Sequence, residues 1–407
     1  MNLPLPLLLD GATGSNLIAR GLPSGVCVEE WILDNPQVLI GLQREFIEAG
    51  SDVVYAPTFS ANRIKLAHFG LEDKTADFNR RLVALSKEAA GGKALVAGDL
   101  SPTGEFVEPY GELSFSEMTD VYKEQAAALN EAGVDLFVIE TMMSLAEIRA
   151  AVLACRKFGK PVFVTVTVDE YGRTLTGATA LSCLISLQGL GVSAFGLNCS
   201  HGPDKMTDIL KGIAPYARIP LIAKPNAGQP DEDGNYDLTP EGMAQGIVPL
   251  LQNGARIIGG CCGSTPAHVA ALRRALDGFD FSAVSAEEQD VSLVLANEQQ
   301  VFFLSADGIE SSRPLECSLD MADELVELCD ETSVDVITVE LLSPEDAYLF
   351  SQNAHMARLP VMFRSESGPA LKAALLSYHG RAMVDSSCEL PREELCAIAA
   401  KYGAVLY

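Results

Sequence analysis

Apolar residues along this chain come in short, nearly unbroken runs, and longer amphipathic stretches fill the intervals. Eight runs stand in the first two thirds: "PLLLDGATG", "DVVYAPTF", "ALVAGDLS", "LFVIETM", "PVFVTVTV", "AFGLNCS", "PLIAKPNAG" and "ARIIGGCCGS". Their apolar character is continuous rather than alternating, as a strand covered on both faces requires. The stretches between, such as "NPQVLIGLQREFIEAG" and "FSEMTDVYKEQAAALNEAG", have helical periodicity and close on a glycine, a common helix C-cap. Eight strand-then-helix units predict a parallel α/β fold, a (β/α)8 barrel. The competing open, doubly wound sheet lacks its usual signature, because no GxGxxG follows the first strand. Polar residues gather where the runs end: Asp10, Thr58, Asp99, Glu140, Asn198, Cys199, Asn226, Cys261 and Cys262. A barrel brings all strand ends to one face, the face that carries catalysis.

Past "RRALDGFD" the pattern weakens. The polar stretch "FSAVSAEEQDVS" predicts a linker over residues 279–291, between a barrel over 1–278 and a smaller unit over 292–407. In that unit "VFFLSA", "DVITVEL", "LPVMFRS", "RAMVDSS" and "GAVLY" predict about five more strands of βα type, too few to close a second barrel. An incomplete α/β domain is therefore expected.

The balance of 29 Lys and Arg against 55 Asp and Glu gives a net charge of −26, which makes nucleic acid and anionic membranes poor partners. The acid is denser in residues 290–407, where 20 acidic residues face 7 basic ones. A solvated surface accounts for this more readily than a dock for a basic partner. No apolar run approaches the ~20 residues of a membrane span. The opening "MNLPLPLLLDGATG" has no basic n-region, so no signal peptide and a cytoplasmic location are expected. Ten cysteines without secretory features fit a reducing compartment, where grouped cysteines point to metal or catalysis. Cys155, Cys183 and Cys329 read as ordinary small core residues.

Cys261 and Cys262 are adjacent, and adjacent residues of a regular strand point to opposite faces. They can serve one site only if the backbone turns, and Gly259, Gly260 and Gly263 are expected to let it turn. Cys199, at the end of the sixth run, offers a third sulfur. Three thiolates with one position open suit a catalytic zinc, since structural sites fill all four positions and sulfur favours zinc over harder ions. The alternative is three buried structural cysteines. A zinc ion with three thiolates carries a net charge near −1 and is a weak Lewis acid, but a thiol that joins it loses its proton. That chemistry points to alkyl transfer onto a substrate thiol rather than to hydrolysis. Asp10 and Glu140, at the ends of the first and fourth runs, suit a substrate ammonium or acid–base work; hydrogen-bonded loop carboxylates are the plainer alternative.

Read in order, "LLLDGATGSNL", "EAGSDVVYAPTFSANRIKL", "GDLSPTGE", "IETM", "GLNCSHGP", "KPNAGQP" and "GGCCGSTPAHV" resemble the homocysteine S-methyltransferase family, and most of all the homocysteine-binding module of cobalamin-dependent methionine synthase. The resemblance runs from about residue 5 to 276. It implies a zinc-bearing (β/α)8 barrel that methylates L-homocysteine to L-methionine. It makes Cys199, Cys261 and Cys262 the zinc ligands, with no catalytic residue beyond the metal site. It gives Asp10, Glu140 and the Gly11 backbone to the substrate amino group, and places Thr58, Asn198 and Asn226 in substrate-binding motifs. The tail, through "LPVMFRSESGPALKAALLSYHGRAMVDSS", is similar, more weakly, to the start of the folate-binding barrel that follows in that enzyme. It departs where Arg364 replaces an aspartate and Asp385 an asparagine. No DxHxxG, the family's cobalamin-ligating pattern, occurs, so methylcobalamin is expected on a separate corrinoid protein. The alternatives are another donor (S-methylmethionine, S-adenosylmethionine or a betaine), or a tail that docks a partner or a second copy of the chain.

Overall fold

The computed structural model describes residues 3–231, 236–284, 288–305 and 308–407. Each of the eight expected runs contains a strand: β1 (Leu7–Leu8), β2 (Val53–Tyr55), β3 (Leu95–Leu100), β4 (Leu136–Met142), β5 (Val162–Val166), β6 (Ala194–Asn198), β7 (Leu221–Lys224) and β8 (Ala255–Ile258). All pair in parallel, β1 beside β8 and then in descending order to β2. The ring closes where Leu9 bridges Val53 and the Asp52 amide donates to the Leu8 carbonyl. This is the expected (β/α)8 barrel, followed by a smaller sheet.

Alternation along the strands sorts the side chains. Leu7, Leu9, Val53, Tyr55, Leu136, Val138, Phe163, Ile222 and Ile257 form one buried cluster inside the barrel. Leu8, Val54, Phe137, Ile139, Val164, Phe195 and Ile258 join the larger cluster under the surrounding helices. Both faces are covered, so the runs read as continuous apolar text. The helix Phe115–Glu131 shows how its neighbours start. Ser114 Oγ accepts from the Glu117 amide at 3.2 Å and Glu117 Oε2 accepts from the Ser114 amide at 2.9 Å, a capping box. The helices Pro36–Glu48, Pro203–Ile213, Pro240–Gln252 and Pro266–Asp277 each open on proline, whose missing N–H costs nothing there.

The second region departs from expectation at its start. "VFFLSA" is not a strand of the parallel sheet. It is the second arm, β10 (Val301–Phe303), of an antiparallel hairpin with β9 (Val294–Ala296). Asn297 Oδ1 accepts from the amides of Gln299 and Gln300, both at 2.9 Å, and this folds the chain back within four residues. The five-stranded parallel sheet is instead β11 (Leu315–Glu316), β12 (Ile337–Glu340), β13 (Val361–Arg364), β14 (Met383–Val384) and β15 (Val405–Leu406), in that spatial order. β11 has two residues, too short for an apolar run to announce it.

The hairpin joins barrel and sheet. Val294 and Ala296 pack on Ile185 of the barrel helix Ala180–Gly189, and Ala296 bridges Arg381 beside the second sheet. Arg149, on the barrel helix Leu145–Arg156, is fully buried at the same seam. It donates to the carbonyls of Leu375 at 2.9 Å and Gly380 at 3.2 Å, at the end of the helix Gly368–Ser377. No described helix is long and apolar enough to cross a membrane.

Candidate active site

A cavity of about 300 Å³ opens at the carboxyl ends of the barrel strands, lined by Asp10, Glu29, Tyr55, Asp99, Glu140, Lys224 and the three cysteines, among others. The Sγ atoms of Cys199, Cys261 and Cys262 lie within 4.8 Å of one another, and Cys199 and Cys262 are 3.9 Å apart. Two sulfurs on a tetrahedral ion with bonds of about 2.3 Å would be about 3.8 Å apart, so the set fits a soft metal.

Three devices assemble the sulfurs. After β8 the chain leaves the sheet: the Gly259 amide donates to the Ala223 carbonyl, Gly260 to Asp10 and Cys261 to Pro225. Of the expected glycines, only Gly263 takes a left-handed conformation, at φ 78°. Gly259 and Gly260 serve close approach instead. A Cβ on Gly259 would stand 2.8 Å from Leu9 Cβ and 3.1 Å from Lys224 Cγ, and one on Gly260 would strike Ser264 Oγ. The second device is Ser264, fully buried: its Oγ donates to the Cys261 carbonyl at 2.7 Å and accepts from the Ala12 amide at 3.0 Å. The third is the end of β6, where Cys199 and Ser200 are left-handed at φ 59° and 57°. Non-glycine residues hold that conformation at a cost, so the neighbourhood imposes it.

The thiols do not share protons evenly. Hydrogen bonds from Cys199 and Cys261, and from the Tyr236 hydroxyl, pull the Cys262 thiol down to about 2. Cys261 is pushed well up by its hydrogen bonds to Cys199 and Cys262 and by burial. Metal binding would require every ligand thiol to give up its proton.

The carboxylates form the other half of the cavity. Asp10 Oδ2 accepts from the Tyr55 amide at 2.8 Å, while its buried Oδ1 has no partner among the described residues. Burial raises its pKa to about 7 against the opposing pull of Lys224. Asp99 Oδ1 is also buried without a partner; burial, and then Glu140, push this acid well above the carboxylate range. Glu140 Oε2 lies 2.9 Å from Lys224 Nζ, and both side chains are buried. The ammonium also stands 3.8 Å from the centre of the Tyr55 ring. Burial depresses it, but Glu140, Tyr55 and Asp10 more than offset this and hold it well above the usual lysine range.

The remaining expected residues sit behind this wall. Thr58 Oγ1 donates to the Asp99 carbonyl at 2.8 Å and accepts from its amide at 3.0 Å, which ties the ends of β2 and β3. Asn198 Oδ1 accepts from the Thr141 amide at 2.9 Å and its Nδ2 donates to Thr141 Oγ1 at 2.8 Å. That grip holds Thr141 left-handed at φ 60°, directly after Glu140, and Asn198 Nδ2 also lies 3.8 Å from Cys261 Sγ. The Asn226 amide donates to the His201 carbonyl, and its Oδ1 is buried without a described partner. None of these three side chains lines the cavity, whereas Gly11 does. Sequence reasoning missed Lys224, Tyr236 and Ser264. A lysine ending an otherwise apolar strand was the legible signal for Lys224.

Comparison with known proteins places this geometry in a family. Residues 7–276 match the homocysteine S-methyltransferase family. The methionine synthases of Mycobacterium leprae and Mycobacterium tuberculosis are each 29% identical over 429 aligned positions, which cover 93% of this chain and 35% of theirs. The chain thus spans about a third of the length of these curated relatives. The metallated form of the homocysteine methyltransferase MmuM from Escherichia coli superposes with a TM-score of 0.58 at 26% identity, over 66% of this chain and 95% of that one. The match runs from β1 through the last barrel helix and spans the cysteines, Asp10 and Glu140 alike. The chain belongs to the homocysteine S-methyltransferase family.

Proposed function

We propose that this enzyme transfers a methyl group to the thiol of L-homocysteine and releases L-methionine, at a zinc ion held by Cys199, Cys261 and Cys262. The observation that carries the reading is the convergence of three sulfurs and two incompletely partnered carboxyl groups on one 300 Å³ cavity. Bound zinc would keep the substrate sulfur as a thiolate, which attacks carbon far better than a thiol does. The chain's own residues orient the amino acid. Asp10 Oδ1 and Glu140 accept from the substrate ammonium beside Gly11, while Thr58, Asn198 and Asn226 hold the frame on which these groups stand. Proton management is light once the sulfur is bound as thiolate, so the reading gives no residue a separate acid or base role.

The donor in this reading is methylcobalamin on a separate corrinoid protein. Similarity to the mycobacterial methionine synthases covers 93% of the chain and so reaches past the barrel, whereas the MmuM match covers 66%. We read residues 279–291 as a connection and 292–407 as a partial pterin-binding-like unit that helps present the donor or pairs two copies of the chain. A reducing, cytoplasmic setting suits ten free cysteines. The test is a donor panel. Zinc-loaded protein is given homocysteine with a methylated corrinoid protein, S-methylmethionine, S-adenosylmethionine or a betaine, and methionine is counted. Methionine from the corrinoid donor alone supports the reading. Methionine from a sulfonium or betaine donor without corrinoid moves it to the alternative.

A further inference from the structure

The cavity holds more charge than thiol chemistry needs, and its one lysine is the oddest part. Lys224 is 3% exposed at the end of a strand whose other residues are apolar. A buried ammonium is costly unless it is paired and hydrogen-bonded. Its partners are Glu140 Oε2 and the face of Tyr55, both in the cavity wall, and its stem lies against Gly259 at the start of the cysteine turn.

The acceptors around it can be accounted for. Glu29 gives Oε1 to the Ser60 amide at 3.0 Å and Oε2 to the Cys27 thiol at 3.5 Å. Asp10 Oδ2 is taken by the Tyr55 amide and Glu140 Oε2 by Lys224. Asp10 Oδ1 and Asp99 Oδ1 are buried with no partner among the described residues, and both acids lie near enough to Glu140 for its charge to push them up. An ammonium that enters beside them favours the ionised, accepting form of both acids, so they suit a cationic donor rather than a carboxylate. Glu140 can offer its second oxygen in a fixed direction only while Oε2 is pinned by Lys224. Without Lys224 it would share the pocket with Asp10 and Asp99 and with no cationic side chain among the described lining residues.

We propose that Lys224 is a specificity-determining positioning residue: it pins Glu140 so that the cavity selects a thiol bearing an ammonium group over one without it. The proposal rests on the reading that the cavity takes homocysteine, and Lys224 acts through Glu140 rather than on the substrate carboxylate.

The test is calorimetric titration of zinc-loaded, full-length protein with three thiols. They are L-homocysteine, 4-mercaptobutanoate, which lacks the ammonium, and 3-mercaptopropylamine, which lacks the carboxylate. Wild type is compared with Lys224→Met, Glu140→Gln and the double variant, with zinc content and circular dichroism as checks. Lys224→Met is expected to weaken both amine-bearing thiols by about 10–100-fold, the range of a charged hydrogen bond. Binding of 4-mercaptobutanoate should stay within about twofold. The double variant should bind homocysteine no worse than Glu140→Gln alone, since removing the second partner costs nothing once the first is gone. Removing the buried pair together is also the gentler change, so the comparison survives if Lys224→Met folds poorly. Equal weakening of all three thiols, weakening confined to the two carboxylate-bearing ones, or additive losses in the double variant would overturn the proposal. A wild type that binds none of the three would overturn the functional reading itself, and the proposal with it; a wild type that binds them leaves Lys224 alone under test.

Discussion

Asp10 holds its proton up to about pH 7 in the folded protein, because it is buried at the end of β1. Unfolded, it lets the proton go near its ordinary value of 3.8. The native state therefore binds more protons than the unfolded chain between those values, and stability falls as pH rises through that window. Asp10→Asn cannot titrate. In urea unfolding of metal-free protein, it should gain on wild type from about pH 4 to 7, with a ceiling of roughly 1.4 kcal/mol per pH unit, and hold that gain at higher pH. Parallel curves for the two proteins would contradict the assignment. Cys199→Ser, Cys261→Ser and Cys262→Ser should each cut bound zinc from about one per chain to well below half, since a catalytic site has three protein ligands to lose. Zinc retained by any variant would remove that residue from the set. The cysteines, Asp10 and Glu140 were legible because each is a polar residue at the end of an apolar run. Ser264 and Tyr236 were not, because a serine in a turn and a tyrosine in a loop reveal nothing until the chain folds back over Cys262. Gly259 and Gly260 were read for the wrong property: packing against Leu9, Lys224 and Ser264 needs their missing Cβ, not a positive φ.

Among the elements, the barrel helix Leu145–Arg156 carries an unusual load. Arg149 is a buried guanidinium held by two carbonyls of the second region, at the end of the helix Gly368–Ser377. Arg149→Met keeps the apolar stem but orphans both carbonyls. It should cost about 2–4 kcal/mol in urea unfolding while leaving zinc content unchanged. An unchanged unfolding midpoint would mean that the seam does not depend on this residue. The eight barrel strands could be read in the sequence because burial on both faces makes each a continuous apolar run. The hairpin β9–β10 could not, since Val301–Phe303 has the same composition as a parallel strand. What separates them is the Asn297 turn, a local hydrogen-bond pattern and not a periodicity.

At the scale of the whole molecule, no described residue beyond Cys262 lines the candidate active site, while the seam buries Ile185 and Arg149 of the barrel against the later residues. A chain ending at Val284 should therefore still bind about one zinc and homocysteine, yet melt at a lower temperature than the full chain. Loss of both ligands on truncation would show that the second region shapes the site directly. Barrel and smaller sheet were legible from the recurrence of strand and helix signals, because parallel pairing needs a helix between neighbouring strands. The use of the second region was not, because its function depends on what it meets. The central claim is that three thiols of this chain leave a fourth position on zinc for the substrate's sulfur. Zinc-edge X-ray absorption of the purified protein, with and without L-homocysteine, tests it most directly. Three sulfurs at about 2.3 Å are expected without substrate and four with it. A sulfur count that does not rise when homocysteine is added would contradict it.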